Sequence, residues 1–440
     1  MKILQEALNK INPIRKDKRD FFIALIQGLI GSVGKKTFRN LARFTQMAEH
    51  TFSRQMVKAF DFVCLNAALI QVSIREGDIL IGAQDASFVQ KSGKKTYGID
   101  FFWNGCEGKA EKGLETDTIA IIRINGDQKA GYALSTEQTL ANPIPMAERP
   151  KNKKAKRAEK TKAPKGERAM AKKNNATKKE APIVLTRIDA YLDHLKRVAH
   201  KMIELGVKYM AVDAAYTKNK YINGVVAAGL HAIGKLRIDA RLLRIYTGLQ
   251  NARGRKRLYE KGKINAEDFK NSVVTKIDDE GIELRSCIAH SVSLDRQIKV
   301  VWVKKTLDDG RSGEAYLFST DTEIDTLQLY KLYVARFQIE FIFRDAKGFT
   351  GFTDCQSRDA RRLHYHFNAS LVALNVAKLQ DQELQEKEGV QYAFSMTNWA
   401  RKYHVGIVIN RFIAMLGLDQ TSIKSHPDYE SMLSFGGIMH

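Results

Sequence analysis

The sequence predicts an α/β protein, with helical segments on both sides of a sheet-forming core and a β-rich segment inserted near the end of that core. Three observations predict it. Apolar residues recur at helical spacing up to residue 75, short runs rich in branched residues begin at residue 78, and strand-like and helix-like runs then alternate. At 440 residues with 44% hydrophobic content, the chain is long enough for two or three domains.

Residues 1–75 are predicted to be helical. Within them, the stretch 37–60 fits a helix-turn-helix whose second helix presents Arg54, Gln55 and Lys58 to a DNA groove. A small helical bundle without DNA contacts gives the same pattern of apolar residues. The sequence leaves both interpretations open, and DNA-end binding is the working expectation for this segment.

The core is predicted from the order of its elements. Three strands, "DILIGAQD", "TDTIAIIRI" and "AGYALST", are joined closely enough to suggest an antiparallel meander. A helix (184–205), the strand "VKYMAVD", a second helix and the strand "HAIGKLR" follow. Three antiparallel strands followed by helix, strand, helix and strand is the element order of the ribonuclease H-like α/β fold.

Residues 240–320 are predicted to form further strands, inserted before the helix that would close such a fold. We expect the closing helix to run unbroken from about residue 322 to 347 and to be followed by another helix. Five regions are predicted: a DNA-end-binding helical domain (1–75), the first part of the core (76–239), the β insertion (240–320), the closing helices (321–382) and a helical carboxyl-terminal region (383–440).

The chain is strongly basic. Its net charge of +23 and pI near 9.7 favour a polyanionic partner, with nucleic acid ahead of a membrane surface. Residues 148–180 contain fourteen Lys or Arg against four acidic residues, so we expect a disordered loop. This loop is either a solubilising insertion or a non-specific phosphate tether. The rest of the chain has 58 basic and 45 acidic residues, so it is also basic.

Cysteine spacing and hydropathy exclude several classes of protein. The four cysteines are far apart and form no CxxC pair, so neither a zinc module nor a disulfide framework is indicated. No amino-terminal stretch has the length of a membrane span, or the apolar core and cleavage site of a signal peptide. The sequence therefore predicts a cytoplasmic protein with no membrane partner.

Two aspartates follow apolar runs at equivalent points, Asp85 after "ILIGAQ" and Asp213 after "YMAV". If the two strands are parallel neighbours, both carboxylates lie at the carboxyl end of the sheet, where α/β sheets usually bind ligands. Glu340, in the apolar stretch "YVARFQIEFIFRDAK", supplies a third carboxylate. Each aspartate alone fits a turn cap, but three carboxylates converging in a basic chain indicate hard divalent cations.

Four other aspartates are set aside as primary ligands. One precedes its strand, one lies in a turn-rich stretch, one follows the last core strand, and one lies about 140° from Glu340 around the helix: Asp78, Asp100, Asp239 and Asp345. The last of these could support the site from behind Glu340.

Glu340 also belongs to a spaced set of residues. Tyr333, Arg336, Glu340 and Lys347 lie at offsets of 0, 3, 7 and 14, which place them within about 60° of one another on an unbroken helix. This set resembles the YREK signature of bacterial insertion-sequence DDE transposases, a cut-and-paste family with a β insertion in its ribonuclease H-like catalytic domain. "VDAAYTKNKYI" is similar to the segment around that family's second aspartate.

The resemblance implies a metal site and a set of DNA contacts. The catalytic residues, which would also hold two Mg²⁺ ions with Mn²⁺ able to substitute, are Asp85, Asp213 and Glu340. The other signature residues would hold the DNA backbone near the cut end: Tyr333, Arg336 and Lys347. A role as salt-bridge partners of Glu340 is compatible with these positions as well.

The resemblance also implies DNA contacts outside the signature. Trp302, on a strand of the β insertion, would stack on a base beside the cut, although a tryptophan on a strand is commonly a core residue. Three arginines that follow the signature helix would contact phosphates: Arg358, Arg361 and Arg362.

The sequence thus predicts a DNA transposase that binds terminal inverted repeats, cleaves the ends by metal-dependent hydrolysis and transfers the 3′ hydroxyls to target DNA. Double-stranded DNA is the expected partner. A homodimer in the synaptic complex is expected from the resemblance alone. Two alternatives stay open: a ribonuclease H-like nuclease or resolvase without strand transfer, and a catalytically inactive, transposase-derived DNA-binding regulator.

Overall fold

We describe the chain from a computed structural model, which covers residues 1–11, 14–141, 186–264, 269, 274–277, 281–306 and 310–437. The basic segment 148–180 lies outside these residues, so what the sequence predicts for it stays a prediction. All four cysteines lie inside them, and each is a free thiol. None of the helices within these ranges combines the length and the apolar character needed to cross a bilayer.

The amino-terminal residues are helical, as predicted. Helices α1 to α5 span Lys2–Lys10, Lys16–Gly31, Phe38–Phe44, Glu49–Gln55 and Phe62–Ser73. The two short helices α3 and α4 pack against each other. Arg54 is exposed on α4 and Lys58 is exposed beyond its end, but Gln55 is buried. The expectation that Gln55 faces a groove was wrong, because Gln55 lies one helical turn from the fully buried Phe52 and shares its side of the helix.

One mixed sheet forms the centre of the molecule. Its first six strands, β1 to β6, span Ile79–Gln90, Asp100–Asn104, Lys109–Asn125, Gln128–Thr139, Tyr209–Val212 and His231–Leu236. The core order is β4-β3-β1-β5-β6, with β4, β3 and β1 antiparallel and β1, β5 and β6 parallel. The mixed α/β class is as predicted, and this order is compatible with a ribonuclease H-like core.

Strand β2 was not predicted. It pairs with the start of β3 and lies in the stretch that the sequence analysis treated as a turn. The period of two is present in β2, since exposed Phe101 and Trp103 alternate with buried Asp100 and Phe102. The run is only five residues long and lies between glycines, which is why it was interpreted as turn.

Two helices connect the core strands. Helix α6 spans Arg187–Glu204, and helix α7 spans Asn219–Ala227. Helix α6 begins at a capping box, in which Thr186 and Asp189 satisfy each other's backbone N–H groups. Its buried leucines and valine pack toward the sheet, where it contacts β3 and β4.

The strands after β6 continue the same sheet. Strands β7 to β12 span Leu242–Ile245, Tyr259–Lys263, Thr275–Ile277, Ile282–Ser291, Arg296–Thr306 and Ser312–Ser319. Strand β12 pairs antiparallel with β6, and the order continues β12-β11-β10-β7-β8, with β9 on β10. Much of the described part of this segment forms strands, as predicted.

The signature segment is not one continuous helix. Helix α8 spans Thr326–Ala335 and helix α9 spans Gln338–Gly348, with a turn at Arg336 and Phe337 between them. The backbone N–H groups of residues 336, 337, 339 and 340 bond carbonyls three residues back, so the chain is tightened into a 3₁₀-like turn. The expectation of an unbroken helix was therefore wrong. Neither proline nor glycine lies at the break, so no residue there signals the end of a helix.

Four further helices follow in the described part of the chain. Helices α10 to α13 span Ala360–Glu388, Met396–Leu416, Gln420–Ser425 and Tyr429–Leu433. The long α10 runs along β4, whose only strand partner among the described residues is β3. Asn368 and Asn375 of α10 each bond both the N–H and the C=O of a β4 residue, Thr136 and Ala133 respectively. At these two residues helix α10 supplies the hydrogen bonds that a further strand would supply.

Candidate active site

The structure brings Asp85 and Asp213 to equivalent positions on neighbouring parallel strands. Gln84 of β1 pairs with Val212 of β5, and each aspartate is the next residue along its chain. Adjacent strands lie about 4.8 Å apart, so the two backbones meet at the end of this ladder. Asp85 does not end its strand, as the sequence suggested. Strand β1 continues to Gln90 against β3, and only its pairing with β5 stops at Gln84.

Glu340 reaches the same site from helix α9, which packs on β1, β3 and β4. Arg336 links it to the first aspartate. One terminal nitrogen of the Arg336 guanidinium lies 3.9 Å from Asp85 Oδ2, and the other lies 3.7 Å from Glu340 Oε1. Glu340 itself is exposed, with 44% of its side-chain surface accessible, so the apolar stretch around it does not enclose the carboxylate.

Asp85 has an unusual electrostatic environment. Burial raises the pKa of Asp85 from its ordinary value to about 6, and the neighbouring charges of Asp213 and Glu340 act in the same direction. The Ala86 N–H, which donates to Asp85 Oδ1 at 2.8 Å, and the Arg336 guanidinium oppose this rise. The contacts with Ala86 and Arg336 therefore do not offset the rise in the Asp85 pKa that burial and the two neighbouring carboxylates cause.

Within the described residues, no three His, Cys, Asp or Glu side chains lie close enough together to hold a metal ion. The guanidinium of Arg336 lies between Asp85 and Glu340 instead. The donor set still fits a hard divalent cation, because every donor is a carboxylate oxygen. The pKa of Asp85 is raised even though Arg336 lies beside it, so its negative charge is poorly stabilised. A bound divalent cation would stabilise that charge.

The other signature residues, Tyr333 and Lys347, lie on the same two helices, Tyr333 on α8 and Lys347 in the last turn of α9. The Tyr333 ring lies 5.8 Å from the Arg336 guanidinium carbon, and burial raises the pKa of its hydroxyl, with the charges of Asp213 and Glu340 contributing. Lys347 is half-buried in the last turn of α9, and burial lowers the pKa of its ammonium. The Nε of Arg336 is buried and has no hydrogen-bond partner among the described residues.

The remaining predicted DNA contacts lie in different settings. Trp302 is half-buried on β11, where its ring lies 6.4 Å from that of Phe269 and its Nε1 donates to Glu314. Arg358 and Arg361 are exposed before and within the start of α10, and Arg361 lies 3.6 Å from Asp359. Arg362 donates from Nε to the Ser53 carbonyl at 2.9 Å. The DNA roles of these four residues stay predictions.

The aspartates that were set aside have structural partners. Asp78 accepts from the Arg75 N–H and from Asn125, and Asp239 pairs with Arg237. Asp345 is buried and accepts from Arg344 Nε at 2.8 Å. Asp100 is buried at the start of β2.

A buried polar cluster directly behind the site was missed. Asp117 on β3 accepts hydrogen bonds from Gln84 Nε2 at 2.6 Å, from His194 Nδ1 at 2.7 Å and from the Tyr216 hydroxyl at 3.3 Å. His194 also contacts Ser135 Oγ at 2.9 Å. The one signal in the sequence was a set of polar residues inside apolar runs, such as Asp117 in "TDTIAIIRI". That signal does not show that Gln84, His194 and Tyr216 are the hydrogen-bond partners of Asp117.

Residues 4–283 match the family model described as the DDE superfamily endonuclease. The match spans more than half of the chain, and the chain therefore belongs to this family. It includes Asp85 and Asp213 but ends before Glu340, so the third carboxylate is a candidate on geometry and not through the match. No curated protein matches the chain.

Proposed function

We propose that this protein is a DNA transposase of the YREK insertion-sequence type. It binds terminal inverted repeats, cleaves the transposon ends and transfers the 3′ hydroxyls to target DNA. One observation carries the proposal: the β1–β5 register brings Asp85 and Asp213 together, and Glu340 is linked to Asp85 through a shared arginine. Family membership supports the nuclease chemistry, and the net charge of +23 supports a nucleic acid substrate.

Asp85, Asp213 and Glu340 would hold two divalent cations, Mg²⁺ or in its place Mn²⁺. Such a pair supplies activation of the attacking oxygen and stabilisation of the leaving oxygen in phosphodiester cleavage. Arg336 then has a second role. Its two terminal nitrogens face carboxylates and its Nε has no partner among the described residues, so once cations neutralise the carboxylates its donors can bond a DNA phosphate.

The DNA partner is bound by a wider basic surface in this proposal. Lys347, Tyr333 and Trp302 contact the end that is being cut, and the exposed arginines at the start of α10 contact phosphates further along. Arg54 and Lys58 contribute from the amino-terminal helices. A homodimer holds both ends during cleavage; this element of the proposal follows from the YREK resemblance and not from any contact in the chain.

Three alanine variants test the site. We expect Asp85→Ala, Asp213→Ala and Glu340→Ala each to abolish Mg²⁺-dependent cleavage of DNA that carries the element's own ends. Affinity for those ends should change by less than about threefold, because backbone contacts made elsewhere dominate DNA affinity. Cleavage is followed on gels, and binding by fluorescence anisotropy. Asp239→Ala is the matched control and should cleave normally, since its carboxylate pairs with Arg237 on the surface.

Robust cleavage by any one of the three variants would refute the site. The same reactions separate transposase from nuclease, because a transposase yields DNA molecules joined through the freed 3′ ends. Cut product that never joins would favour the nuclease or resolvase alternative. Specific end binding with neither cut nor joined product from the unmodified chain would favour the regulator.

A further inference from the structure

Asp117 is a buried carboxylate with three hydrogen-bond donors, and the donors come from three different elements. Gln84 lies on β1, His194 lies on α6, and Tyr216 lies in the 3₁₀ turn Ala214–Tyr216 that follows β5. Asp117 is 2% exposed and His194 is 1% exposed, so water cannot replace these bonds. A carboxylate so deeply buried is tolerated only when it is bonded in this way.

Two of the three donors are next to candidate metal ligands in the chain. Gln84 immediately precedes Asp85, and Tyr216 lies three residues after Asp213. Successive side chains on a strand point to opposite faces, so Gln84 reaches Asp117 and α6 on one face while Asp85 faces Arg336 on the other. Asp117 therefore connects the backbone that carries Asp85 to the backbone that carries Asp213.

The cluster is held on its outer side as well. Gln84 Nε2 also donates to the Tyr191 carbonyl of α6 at 2.9 Å, and its Oε1 accepts from the Tyr221 hydroxyl of α7. The His194 ring is fixed at both nitrogens, by Asp117 and by Ser135. Gln84 and His194 are each held by more than one hydrogen bond, and both donate to Asp117, so together they restrain its orientation.

We infer that Asp117, oriented by His194, is a positioning residue that fixes the separation of Asp85 and Asp213 for joint binding of a divalent cation. The inference rests on the proposed function, because it assigns Asp117 a task only if those two aspartates share an ion. Groups behind the ligands of a metal site commonly change its affinity by about 10–100-fold when removed.

The chain offers a matched control two residues away. Glu115 lies on the same strand and the same face of β3, and it is also buried, but its partners are Arg187 and the Tyr191 hydroxyl of α6. Tyr191 and Tyr216 have neighbouring rings, 4.9 Å apart, and each hydroxyl bonds one of the two carboxylates. Asp117→Ala is thus compared with Glu115→Ala, and Tyr216→Phe with Tyr191→Phe.

The measurement is Mn²⁺ affinity of the full chain without DNA, from the electron paramagnetic resonance signal of free Mn²⁺. We expect Asp117→Ala to weaken binding by about 10-fold or more, and Tyr216→Phe to weaken it by several-fold. Glu115→Ala and Tyr191→Phe should stay within about twofold even if they lower the melting temperature. Asp117→Asn, which keeps the shape and one acceptor oxygen, should recover most of the lost affinity.

The inference would be overturned if Asp117→Ala and Glu115→Ala weaken Mn²⁺ binding equally and Tyr216→Phe and Tyr191→Phe also weaken it equally. If Asp117→Ala does not fold, unchanged affinity in Tyr216→Phe overturns it instead. Asp85→Ala and Asp213→Ala are measured alongside. If neither of them weakens Mn²⁺ binding, the proposed metal site itself fails; if both do and the Asp117 set does not, only the positioning role fails.

Discussion

The surroundings of Asp85 destabilise its ionised side chain. Its pKa of about 6 lies above the ordinary value for an aspartate, mainly because of burial. Between about pH 4 and pH 6, Asp85 therefore keeps its proton in the native state and loses it in the unfolded chain. Stability gained from that proton is fully present at low pH and is lost as pH rises through about 6. At neutral pH the ionised side chain destabilises the fold, as is common at functional sites.

We predict that Asp85→Asn stabilises the protein at pH 7.5 by about 1–2 kcal/mol, because a neutral amide removes the buried charge beside Asp213 and Glu340. Urea unfolding followed by circular dichroism measures this difference, which should shrink as the pH falls through about 6 and approach zero only below about pH 4. Asp78→Asn is the control with the opposite sign, since Asp78 accepts from the Arg75 N–H and Asn125 and lies near Arg123. A loss of stability in Asp85→Asn at pH 7.5 would contradict the prediction.

The carboxylates that could be predicted from the sequence follow a simple pattern. Asp85 and Asp213 each terminate an apolar run, and parallel pairing places such positions side by side. Asp117 and His194 form no such pattern, because their significance lies in a contact between β3 and α6 that no local spacing encodes. The sequence left a salt bridge between Arg336 and Glu340 open, and the two side chains do lie close together, but the approach of Arg336 to Asp85 depends on how α9 packs on the sheet.

Among the secondary-structure elements, helix α10 lies beside β4 and hydrogen-bonds its backbone through asparagine side chains. Asn375 is completely buried; it accepts from the Ala133 N–H at 3.0 Å and donates to the Ala133 carbonyl at 2.8 Å and to Asn66 Oδ1 at 2.9 Å. An edge strand with unpaired backbone groups is a site for aggregation, and amide side chains on a covering helix remove that hazard. The fold around the candidate site therefore depends on polar contacts as well as on apolar packing.

We predict that Asn375→Leu lowers the free energy of unfolding by about 2–4 kcal/mol, because a side chain of similar size leaves three buried polar groups without partners. Chemical denaturation gives the value, and light scattering on heating should show earlier aggregation. Asn223→Leu is the control: Asn223 is exposed on α7 and bonds Asn219, so the change should stay within about 0.5 kcal/mol. Equal effects from the two variants would show that the amide contacts to β4 contribute nothing.

Most elements were predictable from periodicity, and the exceptions have physical reasons. Strands β5 and β6 and helix α6 were found near their true positions because their apolar runs are long or strictly periodic. The break at Arg336 and Phe337 was not, because nothing in "VARFQIE" disfavours a helix locally. Packing of α8 and α9 on different parts of the sheet is a tertiary property, and it overrides local helix preference there.

At the scale of the whole molecule, the amino-terminal helices, the sheet and α10 share one continuous hydrophobic core among the described residues. Helix α2 packs on α10 and α11, and α5 packs on β4. Surfaces that carry Arg54 and Lys58 are thus coupled through packed elements to the sheet that carries the carboxylates. The sequence predicted which segments are helical but not that they join the core, because that packing joins residues more than 300 positions apart.

The most direct test of the central claim is to locate Mn²⁺ by anomalous diffraction in crystals of the full chain bound to a DNA end. We expect anomalous peaks bounded by Asp85, Asp213 and Glu340, with the Arg336 guanidinium moved from between the carboxylates onto a DNA phosphate. Mn²⁺ bound elsewhere, with Arg336 still lying between Asp85 and Glu340, would contradict the claim that these three carboxylates form a divalent-cation site.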